Sequence, residues 1–316
     1  MISLLRTALL LALLGLTAGI AAGFFGFVHP LFDTIANFRL HFSVALLIGA
    51  AVWSFRCSKA PSLVFALIGF GGLFACAPGL PLSGYANLPS GGERVYRLFA
   101  MNLLWNNPTP ERVFNTIEAN DPDILYLTEV SAGWRDVLAR LRQRYPNSFH
   151  CAEWQTVGGS VILTRLEMDK KGEFCGDYAS LGLTTLVIEG RRISAGVVHL
   201  RWPWPASGPR QIATLKPRLG RLGADALLAG DFNSATWTKS VRDFAGSGRL
   251  NVVSGIGPTW GPTLGPGNQR IYWPPKFGLP IDNAMVKGAV KVVSVHTLSR
   301  MGSDHLPILL EFVVRD

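Results

Sequence analysis

Gly302-Ser303-Asp304-His305-Leu306-Pro307, close to the end of the chain, decides how the rest is read. Asp304 sets a carboxylate beside the imidazole of His305. Hard divalent cations prefer carboxylate oxygens, and histidine moves protons near neutral pH. The run Ile308–Val314 that follows reads as a strand, so the pair sits where that strand begins. By itself the dipeptide is equally a polar turn before a terminal strand. Three upstream stretches repeat the pattern of an apolar strand that ends in a polar group. Asp225–Gly230 runs into Asp231-Phe232-Asn233, Ile124–Thr128 into Glu129, and Tyr96–Met101 into Asn102. Ligands of α/β sheets gather at such strand ends.

In family order these elements are Asn102, Glu129, His199 within Val197-Val198-His199-Leu200, Gly230-Asp231-Phe232-Asn233, Asp282 within Ile281-Asp282-Asn283, and Ser303-Asp304-His305. In these motifs residues 92–316 resemble the endonuclease/exonuclease/phosphatase superfamily, whose fold is that of pancreatic deoxyribonuclease. The resemblance implies a four-layer α/β sandwich, two packed mixed sheets flanked by helices, with the site at their joint mouth. It implies a Mg²⁺-dependent (or Mn²⁺-dependent) phosphoester hydrolase. Glu129 is then the main metal ligand, Asn102 ligates or fixes Glu129, and Asp304 adds a second carboxylate or holds a metal-bound water. His305 is the acid/base group, oriented by Asp282. Asp231 positions or deprotonates the attacking water, Asn233 hydrogen-bonds a phosphoryl oxygen, and His199 stabilises developing charge or assists the leaving group. Family members often carry another residue where this chain has Asn283, a departure that leaves Asp282 intact. No P-loop, zinc-type Cys/His spacing or Gly-x-Ser-x-Gly elbow points elsewhere.

The chain has 316 residues, 48% hydrophobic and 16% charged, too apolar for an ordinary soluble protein. The excess lies in residues 1–85, which predict an anchor of about three membrane helices: Leu4–Phe27, Leu40–Phe55 (lengthened by Ile35–Phe38) and Pro61–Leu82. A signal peptide is the rival reading of the first segment. Arg6 with the amino terminus, and Arg56 with Lys59, place those ends in the cytoplasm, against Arg39 and Asp33 in the first loop. Residues 86–93 read as a linker. Residues 94–316 then form an extracytoplasmic catalytic domain on the inner or plasma membrane. Of 30 basic and 21 acidic residues, all but four and one lie downstream of the anchor, leaving a net +6 there, against +9 for the whole chain. That balance suits anionic substrates or membrane surfaces.

Local signals predict the elements between the motifs. Thr109-Pro110 opens a helix, with threonine as cap and proline in the first turn. A helix runs from Ser131, another spans about 209–222 and is kinked or split at Pro217, and a fourth lies near 236–245. Strands are expected near 148–154, 159–164, 183–189, 192–200, 281–287, 289–297 and 306–314. Substrate identity stays open. Arg201-Trp202-Pro203-Trp204-Pro205 and Arg270-Ile271-Tyr272-Trp273 offer arginine with aromatics, with Arg201 as the substrate contact. Such groups stack bases, sit at a lipid interface, or pack on one another. The substrate is thus a nucleic-acid or lipid-linked phosphoester, including phosphoinositides, with the membrane as the other partner and no obligate protein partner. A membrane-tethered binder that keeps the fold without catalysis is the rival class. His29, His41, His150 and His296 receive no role. Cys151 and Cys175 are expected to form a disulfide; Cys57 and Cys76 are badly placed to oxidise.

Overall fold

A computed structural model describes residues 2–80, 85, 89, 91–151, 158–265 and 271–315. Residues 86–88 and 90 of the expected linker, 152–154 of the expected strand, Leu82 and Arg270 lie outside the described residues. The apolar amino-terminal part folds as α1 (Ile2–Ala22), α2 (Pro30–Ala36), α3 (Arg39–Arg56) and α4 (Lys59–Cys76). Leu4–Ala22 and Lys59–Gly79 are each long and apolar enough to cross a membrane. The expected middle span is instead a broken pair, with α2 and α3 bent by 59°. The break falls at Asn37-Phe38, where Asn37 is fully buried and Phe38 leaves the helical conformation before Arg39.

The remaining elements build two six-stranded sheets. The first takes its strands from β1 (Tyr96–Asn102), β2 (Ile124–Val130), β3 (Asn147–Cys151) and β4 (Gly159–Thr164), with helices α5 (Pro110–Asn120) and α6 (Arg135–Arg144) in the connections. The second draws on β5 (Glu167–Cys175), β6 (Leu181–Ile188), β7 (Arg191–His199), β8 (Asp225–Asp231) and β9 (Asn251–Val252), with α7 (Gly208–Leu219) and α8 (Lys239–Gly248). A small ribbon of β10 (Thr263–Leu264) and β11 (Ile271–Tyr272) precedes β12 (Asp282–Lys287), which joins the second sheet. Finally β13 (Val290–Thr297) and β14 (Ile308–Val314) return to the first. The strand orders are β13-β14-β1-β2-β4-β3 and β5-β6-β7-β8-β12-β9. Both sheets are mixed: β1–β2 and β7–β8 are parallel and their other pairings antiparallel.

The two-residue strand period explains the layering. Leu98 and Ala100 of β1 face the core between the sheets, while Phe99 and Met101 face Val113, Ile117, Leu138 and Leu141 of α5 and α6. In β8, Leu227 and Ala229 face the same central core, while Ala226 and Leu228 meet Ile212, Leu215, Val241 and Phe244 of α7 and α8. Strands apolar on both faces must be covered on both, which gives the four layers. Burying one such leucine or phenylalanine contributes about 1.5–3 kcal/mol.

Several local expectations change. Pro110 opens α5, but Thr109 makes no side-chain cap; its hydroxyl donates to Met301 O at 3.1 Å. Residues 132–134 form a 3-10 turn before α6 starts at Arg135. Helix α7 is not split at Pro217 but continues to Leu219; so near the end, proline forfeits only a last-turn hydrogen bond. Strand β5 went unread as a strand. Its sequence, Glu167-Met168-Asp169-Lys170-Lys171-Gly172-Glu173-Phe174-Cys175, carries five charges and little apolar alternation. It lies at a sheet edge, where charged side chains block further pairing. Cys151 ends β3, the edge of one sheet, and Cys175 ends β5, the edge of the other. They form a disulfide with Cα atoms 5.5 Å apart, stapling the sandwich along one side. Closing 24 residues of chain in this way stabilises the fold by about 3 kcal/mol in the chain-entropy picture.

Candidate active site

Register brings the polar strand ends to one edge. β1 and β2 run parallel, with Asn102 last in β1 and Glu129 next to last in β2; β7 and β8 run parallel and end with His199 opposite Asp231. β12 is antiparallel to β8, so its first residue, Asp282, also pairs with Asp231. β14 is antiparallel to β1 with Ile308 opposite Ala100, and His305 arrives at the same edge just before it. Six elements separated by up to two hundred residues therefore meet where the two sheets open.

Two backbone features aim the side chains. Glu129 sits at φ 56° inside a bulge where the β2–β4 register slips between Leu127 and Val130. A non-glycine residue held there costs about 1–3 kcal/mol and turns its carboxylate away from the strand's normal alternation. Gly158 packs against this bulge so closely that a Cβ would lie 2.5 Å from Glu129 C. Asn233 is also left-handed, at φ 48°, a conformation asparagine tolerates. Its backbone N–H donates to Asp231 Oδ1 at 2.7 Å, and its side-chain Nδ2 to Leu200 O at 2.8 Å and Asp231 Oδ2 at 3.3 Å.

Asn102 and Asp231 are almost fully buried. Asn102 Nδ2 donates to Glu129 Oε1 at 2.9 Å and to Asp231 Oδ2 at 3.1 Å, while Leu104 N–H donates to Asn102 Oδ1 at 3.0 Å. Of the two roles expected for Asn102, this geometry is that of fixing Glu129. Trp105 N–H donates to the other glutamate oxygen, Oε2, at 3.0 Å. His199 Nε2 lies 3.9 Å from Glu129 Oε1 and 3.8 Å from Asp231 Oδ2. His305 Nδ1 is hydrogen-bonded to Asp282 Oδ2 at 2.8 Å, and its Nε2 points at Asp231 Oδ2, 3.7 Å away.

Asp304 is held at one side: Trp260 Nε1 donates to its Oδ2 at 3.0 Å, and Ser303 Oγ lies 3.5 Å from its Oδ1. Ser303 belongs to the closing motif without a role assigned from the sequence; its hydroxyl donates to Asn102 O at 2.8 Å and accepts from His305 N–H at 3.0 Å, tying that motif to β1. Thr259 Oγ1 likewise accepts from Asp282 N–H at 3.1 Å. Nothing in the apolar patterning marks Trp260 or Thr259. Arg201 is exposed at the rim, and its guanidinium stacks on Tyr178 with 4.1 Å to the ring centre. Asn283 faces the other way, accepting from Thr236 Oγ1 and donating to Ser234 O, each at 2.9 Å.

Electrostatics separate two halves of the site. Burial alone would lower the His305 pKa, but Asp282, Asp231 and Asp304 outweigh it and push the imidazole up to about 10. Burial pushes the Asp231 carboxyl up to about 6, helped by Asp282 and opposed by His305 and His199. Asp231, Asp282 and His305 place ligand atoms within 4.8 Å of one another, the spacing of a metal group. An imidazolium between two carboxylates already supplies the positive charge there, and a protonated ring has no lone pair to give. Glu129 is different. Each of its oxygens accepts one hydrogen bond and keeps a lone pair, which fits a cation that retains most of its water shell. The pH dependence has a definite sign. Replacing Asp282 by Asn removes the largest influence raising the His305 pKa, so the alkaline limb of the pH–rate profile is expected to move down from about 10 towards neutrality. The acid limb, near 6 in the wild type where Asp231 protonates, is expected to shift in the same direction, because Asp282 also raises Asp231. Profiles of kcat against pH for the two proteins check both shifts.

The two packed sheets and the carboxylate–histidine edge are those of a phosphoester-hydrolysing α/β sandwich. A family model described as Endonuclease/Exonuclease/phosphatase family matches residues 99–305, and the chain belongs to that family. It is therefore a hydrolase acting on phosphoesters, in a family dependent on divalent metal. Solved structures share the fold. Danio rerio TDP2 complexed with a single-strand DNA product is 14% identical, with a TM-score of 0.56 over 70% of this chain and 99% of that one. The family member from Bacteroides vulgatus is 15% identical, TM-score 0.53, over 71% and 100%. That from Beutenbergia cavernae is 19% identical, TM-score 0.51, over 70% and 72%. A search of curated proteins finds no match.

Proposed function

We propose that this protein is a membrane-anchored, Mg²⁺-dependent phosphodiesterase that hydrolyses its substrate by in-line attack of water. One observation carries the reading: Glu129, Asp231 and the Asp282–His305 pair meet at one edge of the two sheets, with Asn102 bonded to Glu129 and Asp231. Glu129 would hold the metal, with Asp304 as a second carboxylate; when bound, the ion would offset charge that grows on the phosphoryl oxygens. Asp231 takes the proton of the attacking water, a task suited to a carboxyl poised near 6. Asn233 Nδ2, which meets Leu200 O at 2.8 Å and Asp231 Oδ2 at 3.3 Å, exchanges the longer contact for a phosphoryl oxygen when substrate binds. The imidazolium of His305, fixed by Asp282, and His199 offset charge in the transition state.

A nucleic-acid phosphodiester is the first reading of the substrate, supported by the DNA product bound to the TDP2 neighbour. The second is a lipid phosphoester, favoured by the contacts of the rim with the anchor. Thr34 of α2 exchanges hydrogen bonds with Trp204, and His41 of α3 bonds Phe277 O at 2.9 Å. Trp204, Trp273 and Phe277 are all exposed there, as aromatic residues at a bilayer surface are. The full chain in lipid nanodiscs with Mg²⁺, offered single-stranded DNA, RNA, phosphoinositide and sphingomyelin, separates the readings. Cleavage of none of them contradicts the proposal.

The catalytic part is exported in this reading, supported by the basic residues Arg56 and Lys59 between α3 and α4 and by a disulfide suited to an oxidising compartment. A reporter active only after export, fused behind Asp316, is expected to be active. Activity of a cytoplasm-specific reporter at the same position would overturn the orientation.

A further inference from the structure

Helix α2 carries polar groups that an ordinary membrane segment has no use for. Asp33 and Asn37 are buried, at 1% and 0% exposure, and a buried carboxylate or amide is costly unless its hydrogen bonds are met. Here they are met by the catalytic domain. Asp33 accepts from the backbone N–H groups of Lys239 at 2.7 Å and Ser240 at 2.8 Å, capping the first turn of α8 from outside the helix. Asn37 Oδ1 accepts from Ala235 N–H at 2.7 Å, and its Nδ2 reaches Asn233 O at 3.5 Å. Trp237 Nε1 donates to Ala36 O at 2.7 Å, and the ring lies against Gly79 beyond α4, where a Cβ would come within 2.8 Å of it. The loop from Asn233 to Thr238 is thus clasped between the second sheet and the ends of the anchor helices.

We infer that α2 and its C-cap residue Asn37 back the active site, with Asn37 and Asp33 as positioning residues that fix the Asn233 loop for catalysis. The amino-terminal helices are on this view part of the enzyme's working structure and not merely a tether. Asn233 sits in a left-handed backbone conformation at φ 48°, and its amide donates to Leu200 O and Asp231 Oδ2. Asp231 holds its N–H at 2.7 Å, while Asn37 Nδ2 lies 3.5 Å from its carbonyl oxygen and Asn37 Oδ1 binds Ala235 N–H at 2.7 Å two residues further on. A misplacement of about 1 Å at such a loop costs on the order of a hundredfold in rate.

This inference rests on the assignment of Asn233 to the phosphoryl group. Its test uses the full chain in nanodiscs, Mg²⁺, and bis(p-nitrophenyl) phosphate as the probe. Asn37→Ala is expected to lower kcat on the order of tenfold to a hundredfold, with KM little changed. In an Asn233→Ala background the same substitution is expected to add almost nothing, because coupled residues are non-additive. A merely structural role gives independent losses that multiply, and that result overturns the inference. So does a wild-type kcat in a folded Asn37→Ala protein. Where Asn37→Ala does not accumulate, Trp237→Phe deletes one hydrogen bond to α2 and leaves an aromatic ring, smaller than the indole, in the same place. A several-fold fall in kcat supports the inference, and an unchanged kcat overturns it. A wild type inactive on the probe overturns the Asn233 assignment and the inference with it. An active wild type with an indifferent Asn37→Ala overturns the inference alone.

Discussion

Glu129→Gln lowers kcat by about a hundredfold or more, the scale seen when an electrostatic stabiliser is removed, while the domain stays folded. The substitution is nearly isosteric and the residue is partly exposed at the bulge, so packing changes little. What changes is charge and bonding. Both carboxylate oxygens accept, from Asn102 Nδ2 and from Trp105 N–H. A glutamine can satisfy only one of these with its oxygen, and it opposes an NH₂ to the other donor. On the proposed metal assignment the cation loses its principal anionic partner at the same time. The Mg²⁺ concentration for half-maximal rate is therefore expected to rise together with the fall in kcat. Near-normal turnover on a substrate that the wild type cleaves removes Glu129 from the metal assignment.

His305→Ala has an effect of similar size for a different reason. A charge that stabilises the transition state contributes about a hundredfold or more, and this imidazolium also neutralises two buried carboxylates, Asp231 and Asp282. Because His305 pulls the Asp231 pKa down, its removal raises that pKa further above about 6. Residual activity is then expected to appear only at higher pH than in the wild type. The circular dichroism spectrum reports whether the fold survives, and the pH–rate profile reports the shift. A residual activity with an unmoved acid limb contradicts the contact between His305 and Asp231.

The strands were legible because both faces of β1, β2, β7 and β8 are apolar, and the site because each of these strands ends in a polar group. Asn102, Glu129, His199, Asp231, Asp282 and His305 meet within hydrogen-bond or near-contact distance in the fold. The supports of those groups were not legible. Ser303 and Thr259 act through hydroxyls that face the backbone of other strands, and a lone hydroxyl carries no periodic signal. Asp33 reads in sequence as a loop charge and Asn37 as part of a span. Their partners, Ser240 and Ala235, are roughly two hundred residues away, so only the tertiary structure shows why a break falls at Asn37. Strand β5 was hidden by the reverse effect, since an exposed edge strand needs no apolar face.

The most direct test of the central claim is metal-dependent hydrolysis by the intact chain. Full-length protein in nanodiscs is assayed on bis(p-nitrophenyl) phosphate with Mg²⁺, then with excess EDTA, then with Mg²⁺ or Mn²⁺ restored, beside Glu129→Gln. Turnover that vanishes with the chelator, returns with the metal, and stays low throughout in Glu129→Gln is the predicted result. Turnover that persists in EDTA, or no turnover by the wild type on any phosphoester, contradicts it.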